Sequence, residues 1–344
     1  MPKVKKEILQ RTLKVGLAGL FAVLVAWGCA PMRHGPGGSA YVKAQSDDFL
    51  VVVAGRNDTL RSLAATFLGD PADAWVIGQF NDIKSVRAGQ EVVIPRSPTN
   101  PAAVFGNGYQ TVPILSYHRF GPGNQSRDRL ELSAEDFEAQ MAYLKRAGFQ
   151  VVGLDDFADF IEGKRSLPRK SVVLTIDDGY RSAYTVAYPI LRKYGFRATL
   201  FVYTDFVGSG AGLTWAQMKE MVASGLIDIQ PHSKSHSNMA RQRNEESPSD
   251  YQQRVLRELR TPASLIRKRL GIKAHTFAYP YGAVSEDVAE AAAREGYRLA
   301  VTVTRGGNPT FTHPYMVRRT MIYGDDNLDI FAKRLRTFQP MRLP

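Results

Sequence analysis

The 344-residue chain has one cysteine, Cys29, so no disulfide forms within it. It has no apolar run of the roughly 20 residues that a membrane-spanning helix needs. The nearest approach is "VGLAGLFAVLVAWG", Val15 to Gly28. Zinc-finger spacing, an RNP-like aromatic pattern and a basic helical stripe are all missing, and lysine and arginine are scattered, so nucleic acid is not an expected partner. Acidic residues are in the minority, 33 against 45 basic, for a net charge of +12. That excess suits work beside anionic polymers such as cell-wall glycans or lipid head groups. At 44% hydrophobic and 23% charged, the chain is globular and long enough for one large domain and one small one.

The start of the chain is organised. Lys3, Lys5, Lys6, Arg11 and Lys14 precede the short apolar run, which ends at Gly28-Cys29. A basic segment followed by a short apolar one is an export signal, and Gly28-Cys29 resembles a bacterial lipoprotein cleavage site. Residues 1–29 are therefore expected to be a signal and lipoprotein anchor. The protein is expected to be exported and membrane-attached in the cell envelope, on its periplasmic or extracellular face. Residues 30–47 and 97–110, rich in glycine, proline and polar residues, read as linkers.

Between them, 48–96 has the order βααβ: a strand at Val51–Val53, a helix capped by Thr59, a second helix at Trp75–Phe80 and a strand at Val92–Ile94. "GRNDTL" and "FND…VRAGQEVVIP" resemble a LysM domain. The resemblance implies binding of N-acetylglucosamine glycans near Gly55 to Leu60 and Asn81 to Ile83, with Asp58, Thr59 and Asn81 as candidate contacts.

From residue 111 to 344 strands and helices alternate: "VPILSYH", a helix at about 134–147 opened by Ser133, "SVVLTIDD", "YRSAYTVAYPILRKYG", "ATLFVYT", "TWAQMKEMVASG", "LIDIQPH", a long helix at about 250–270, "HTFAYPYG", "SEDVAEAAAREG" and "YRLAVTV". Regular alternation implies a parallel α/β architecture, and either a doubly wound sheet or a barrel fits it. In a barrel, catalytic groups gather at strand C-termini. Those ends carry His118, Asp177-Asp178, His232 and Tyr281. The doublet poses a problem, because successive strand side chains point to opposite faces; the two carboxylates share one site only if the chain leaves the strand there, which Gly179 permits. His232 and His236 are four apart, which on a helical turn sets both imidazoles on one face, able to hold one metal.

Taken in order, "TIDDGY", "HSKSH" and "YPYG" resemble the motifs of the polysaccharide deacetylase family, the NodB-homology domain of carbohydrate esterase family 4. The resemblance covers about 112–325. It implies a distorted, partly open (β/α) barrel and metal-dependent removal of acetyl groups from N-acetylglucosamine units. On the same basis Asp178, His232 and His236 would bind Zn²⁺ or another divalent transition metal, and Asp177 would be the general base. A backbone N–H at Tyr281 would face the oxyanion, and Tyr279, Pro280, Tyr281 and Gly282 would line the substrate. Tyr180 and Trp215 are further candidates for an aromatic sugar platform.

Two departures from the family pattern matter. No L-x-H motif follows residue 300, whereas "ILSYHRF" resembles a branch that takes its general acid from the first strand, so His118 is preferred over His313. The arginine of R-x-P-Y-G is replaced by Ala278, and Arg318 or Arg319 are the candidates to replace it beside Asp177. An O-acetyl esterase and an inactive glycan-binding scaffold are the competing readings. Glycosidic hydrolysis is not expected, since no pair of carboxylates suited to flank a sugar linkage is recognisable.

Overall fold

A computed structural model of the chain describes residues 38–96, 100–121 and 128–341. The expected export signal and Cys29 lie outside the described residues. The chain divides into two compact units, meeting at Ile94-Pro95.

The small unit contains β1 (Tyr41–Gln45), β2 (Phe49–Val53), α1 (Leu60–Phe67), α2 (Ala74–Phe80) and β3 (Glu91–Pro95), with strand order β1-β2-β3. β1 was expected to be linker; it pairs antiparallel with β2, Tyr41 opposite Val53. Alternation sends Leu50 and Val52 of β2 inward, where they meet Leu63, Ala64, Ile77, Val92 and Ile94. The three candidate sugar contacts each make hydrogen bonds that hold this fold together. Asp58 accepts the Gly55 N–H at 2.6 Å, Thr59 caps α1 in a reciprocal box with Ser62, and Asn81 exchanges two hydrogen bonds with the Val93 backbone of β3, at 2.7 and 2.8 Å. Loop ends with orphan backbone groups need such partners, which these side chains supply while Thr59 stays exposed and the other two half-buried.

The large unit is built on a parallel ladder. Its elements are β4 (Ile114–Tyr117), α3 (Ala134–Arg146), α4 (Leu154–Ile161), β5 (Ser171–Ile176), α5 (Tyr188–Tyr194), β6 (Ala198–Val202), α6 (Trp215–Ala223), β7 (Ile227–Pro231), α7 (Pro248–Leu270), β8 (Thr276–Ala278), α8 (Glu286–Arg294), β9 (Leu299–Val301), β10 (Thr320–Met321) and α9 (Leu328–Lys333). Strands run β7-β6-β5-β4-β10, and β8 pairs with β9, all parallel. Val301 bridges Val317 ahead of β10. Between β7 and β8 the link is a side chain: Gln230 accepts the N–H groups of His275 and Thr276 at 2.9 and 3.0 Å.

Every residue of β4, β5 and β6 is buried, as a sheet covered on both faces requires. One face, with Leu115, Leu174 and Leu200, packs on α3, α5 and α6 through Met141, Leu191 and Met218. The other, with Ile114, Val173 and Phe201, meets Val301 and Val317 from the far strands. Phe157 and Phe160 of α4, a helix not expected from the sequence, join this second cluster. The expected linker at 97–110 is also structured in part: Gly108–Gln110 pairs antiparallel with Val104–Phe105 and with Phe338–Pro340. The expected helix after Tyr180 divides into a π-helical turn, Ala183–Ala187, and α5, since Pro189 has no N–H to continue an α-helical register.

Candidate active site

The site forms where β4, β5, β7 and β8 end. At the end of β5, Asp178 and Gly179 adopt φ of +74° and +81°, which turns the chain so that adjacent carboxylates serve one place. A Cβ on Gly179 would lie 2.9 Å from the Val202 side chain, so glycine is required sterically as well as conformationally. The aspartate is the strained member of the pair.

His232 follows β7 and is buried. Its Nδ1 lies 2.8 Å from the Ala278 carbonyl; a carbonyl only accepts, so Nδ1 carries the proton and Nε2 is left facing the site. His236 arrives by a different route from the one expected. Residues 232–236 form no helix; Ser233 and His236 take φ of +74° and +59°, and the His236 N–H donates to Ser233 Oγ at 2.8 Å. Glu258, on α7 and buried, ties this loop down: its carboxylate accepts the Lys234 N–H at 2.9 Å, the Ser235 N–H at 2.8 Å and the Ser235 hydroxyl at 2.6 Å. Glu258 escaped the sequence reading because it lies in a charged helix with no motif around it.

One ligand atom each from Asp178, His232 and His236 lies within 4.8 Å of the other two. Asp178 Oδ1 is 3.5 Å from His232 Nε2 and 3.3 Å from His236 Nε2, yet it is buried and accepts no hydrogen bond. A carboxylate oxygen facing imidazole nitrogens without a shared proton suits a cation between them. Burial alone would raise the pKa of Asp178; when the two imidazoles carry protons toward it they outweigh burial and hold the carboxyl far below the usual carboxylate range, and a cation held between them would act in the same direction.

Asp177 points into the same end of the sheet and is 1% exposed. Arg319, itself wholly buried, meets it with two parallel hydrogen bonds of 2.7 Å. The same guanidinium donates to the Thr302 carbonyl and to Thr175 Oγ1. Burial works against the Asp177 charge, and Arg319 reverses the balance, so its pKa lies below the ordinary value. Arg318 faces away and is exposed, so of the two candidates Arg319 is the one that meets Asp177.

His118 follows β4 and is coupled electrostatically to Asp177, Asp178 and His232. Its Nδ1 is buried without a hydrogen bond, so it is not the backbone-bonded structural histidine that would explain it away. Burial lowers its pKa in spite of the two carboxylates, and at neutral pH the resting imidazole is mostly neutral. His313 lies on the 302–316 loop, where its Nδ1 accepts the Tyr315 N–H at 3.2 Å. His275, before β8, contacts Thr276 and Asp228.

The tyrosines divide. Tyr281 has φ +62°, is 65% exposed, and sets its ring 4.6 Å from His236. Tyr279 corrects the expectation of substrate contact: it is fully buried and donates to the Tyr315 carbonyl at 3.2 Å. The chain leaves β8 at Ala278, and the left-handed backbone of Tyr281 turns its ring out of the core that holds Tyr279. Pro280 is buried too, and at Gly282, φ +66°, a Cβ would lie 2.4 Å from the Val303 side chain, so its role is to permit the turn. Trp215 packs against the outer cluster, whereas Tyr180 is half-buried against Phe206. Tyr203, unremarked in the sequence, follows β6 and stands 5.1 Å from His236; burial and the Asp178 charge push its pKa up to about 12.

A parallel α/β unit presenting two histidines and an aspartate, beside a buried arginine-bound aspartate, has the form of a hydrolase centre. The polysaccharide deacetylase family model matches residues 164–300. YxkH of Bacillus subtilis, assigned to the polysaccharide deacetylases, is 30% identical over 211 residues, 61% of this chain and 71% of its own. A poly-beta-1,6-N-acetyl-D-glucosamine N-deacetylase of Staphylococcus aureus is 24% identical over 237 residues, 64% of this chain and 81% of its own. Among solved structures, the Streptococcus pyogenes deacetylase PplD in complex with acetate matches with a TM-score of 0.59 at 26% identity, covering 66% of this chain and 98% of that one. The chain belongs to the polysaccharide deacetylase family, and it is a deacetylase, a hydrolase.

Proposed function

We propose that this enzyme hydrolyses the N-acetyl groups of N-acetylglucosamine residues in a cell-envelope or extracellular glycan, with Asp178, His232 and His236 holding a divalent ion, zinc first among candidates. The observation that carries this is the orphaned Asp178 oxygen facing two imidazole nitrogens. Support for the substrate comes from the poly-N-acetylglucosamine deacetylase relative. The parallel ladder and the Gln230 link support reading the large unit as a distorted, incomplete (β/α) barrel.

A divalent ion in this set supplies Lewis acidity toward water and the acetyl carbonyl oxygen. Asp177, held ionised and oriented by Arg319, takes the proton from the attacking water. His118 gives a proton to the departing amine, and because it rests mostly neutral it must gain that proton during turnover. The Tyr281 backbone N–H faces the oxyanion, and the exposed ring of Tyr281 with the half-buried ring of Tyr203 bounds the sugar. Acetate release from N-acetylglucosamine oligomers and from peptidoglycan tests this: a chelator should abolish it and zinc restore it. Release from O-acetyl esters alone would turn the reading to an esterase, and no release with metal bound would leave a binding scaffold.

The small unit we read as a LysM glycan-binding module that holds the enzyme on its polymer, in the envelope where the expected N-terminal anchor would keep it. With Asp58, Thr59 and Asn81 used internally, the sugar contact moves to the groove of about 530 Å³ along Ile83 to Gln90. Ala88→Trp, which fills that groove, should lower retention on peptidoglycan about tenfold; unchanged retention would remove this role.

A further inference from the structure

The connection from β9 to β10, residues 302–316, carries no helix, although a crossover between parallel strands usually does. A cleft of about 1120 Å³ lies beside it. The cleft is lined by five arginine and lysine residues, by His313 and by no acidic residue. Arg334 among them is paired with Asp326. The other four, Arg305, Arg318, Lys333 and Arg336, are exposed and have no ion-pair partner among the described residues. Arg318 and Arg319 are adjacent in the segment between the Val317 bridge and β10; Arg319 turns inward to meet Asp177, and Arg318 faces outward to the cleft. Its side chain lies against the Gly306 backbone, where a Cβ would be 2.9 Å from Arg318 Cδ, next to Arg305. Such a gathering of like charges in a concave surface focuses a positive field.

The cleft also holds rings. Phe311, 64% exposed, meets Tyr109 edge-on at 5.1 Å, and both line the cavity with the polar Gln339 and Thr304. Flat apolar faces beside guanidinium groups suit a chain of sugars carrying anions, because arginine binds carboxylate or phosphate in a bidentate fork and the rings cover the apolar faces of the sugars. We infer that this cleft is a second carbohydrate site, distinct from the metal-ligand cluster, that binds an acidic glycan bearing carboxylates or phosphates along its chain. It does not depend on the deacetylation chemistry, since no residue of the Asp177, Asp178, His232 and His236 set lines it.

Binding to the full chain is measured with three probes: polygalacturonate for carboxylates, a phosphodiester-bearing mannan for phosphates, and neutral N-acetylglucosamine hexamer. At least one acidic probe should bind, more weakly at high salt, and which one binds tells the anion. Arg318→Gln with Arg336→Gln should weaken that binding by about tenfold or more. Lys219→Ala with Lys268→Ala, which removes the same charge from helices α6 and α7, should leave it within about twofold. Phe311→Ala should weaken it without any change of charge. Thermal unfolding of each variant establishes that it folds, and the single Arg336→Gln replaces the pair if the pair does not. Equal weakening by the two double variants would show attraction to net charge alone and overturn the site. Equal affinity for the neutral hexamer, or for a DNA oligonucleotide with the same loss in the Arg318 and Arg336 variant, would overturn its assignment to acidic glycans.

Discussion

Arg319→Met leaves the Asp177 carboxylate buried without its counter-ion, and we expect a loss of about 3–5 kcal/mol of stability at neutral pH. Methionine fills similar space, so no large cavity opens; it removes both 2.7 Å hydrogen bonds to Asp177 and also those to the Thr302 carbonyl and Thr175 Oγ1, and the pH dependence separates the charge from these neutral losses. The pH dependence has a definite sign. In the native protein the Asp177 pKa is depressed, so its pairing stabilises the fold above the ordinary carboxylate value and loses that contribution as pH falls through the folded value. In the variant, burial acts unopposed by arginine and raises the Asp177 pKa, so the penalty is greatest at neutral pH and shrinks as acid protonates the group. Denaturant unfolding at about pH 7.5 and pH 5 checks this: a deficit that does not narrow at the lower pH would mean the charge is not the cause. Activity should fall by about 10²-fold or more, because the base loses both its orientation and its ionised state.

The second large effect belongs to the metal-ligand cluster. His232→Ala should abolish tight zinc binding and lower acetate release by about 10³-fold, several kcal/mol of barrier. Glu258→Gln provides a graded comparison. Glu258 touches none of the three ligand groups, but its carboxylate holds the backbone from which His236 projects. Loosening that loop should weaken zinc by about 10–100-fold while excess zinc restores much of the turnover. Competition with a chromophoric chelator measures both variants. Unchanged zinc affinity in His232→Ala would remove it from the ligand set, and unchanged affinity in Glu258→Gln would reduce that residue to a purely structural support.

Much of this site is legible in the chain because its parts are local. A β-branched run ending in Asp177-Asp178-Gly179 announces a strand that must turn, and His232 with His236 follows another strand within five residues. Such signals depend on alternation and on the conformational freedom of single residues, both carried by adjacent positions. The four-residue histidine spacing was sound evidence for a shared site, although the loop reaches it with two left-handed residues rather than with a helical turn.

Other features depend on which side chains face one another across the fold. Glu258 is one acid among many charges on a long helix until the packing of α7 sets it under the histidine loop. Arg318 and Arg319 are equivalent in sequence; their opposite directions just ahead of β10 separate a buried partner of Asp177 from a lining residue of the basic cleft. Tyr279 and Tyr281 also divide into core and site, because the left-handed turn at Tyr281 takes the chain out of the strand direction. The sequence by itself determined the alternating α/β order, the acids and histidines of the site and the βααβ heart of the small unit, since those rest on local periodicity and turn chemistry. Only the tertiary structure decided which arginine neutralises Asp177, what holds the His236 loop, and that Asp58, Thr59 and Asn81 support their own fold, because those outcomes are contacts whose burial and direction arise when distant segments pack.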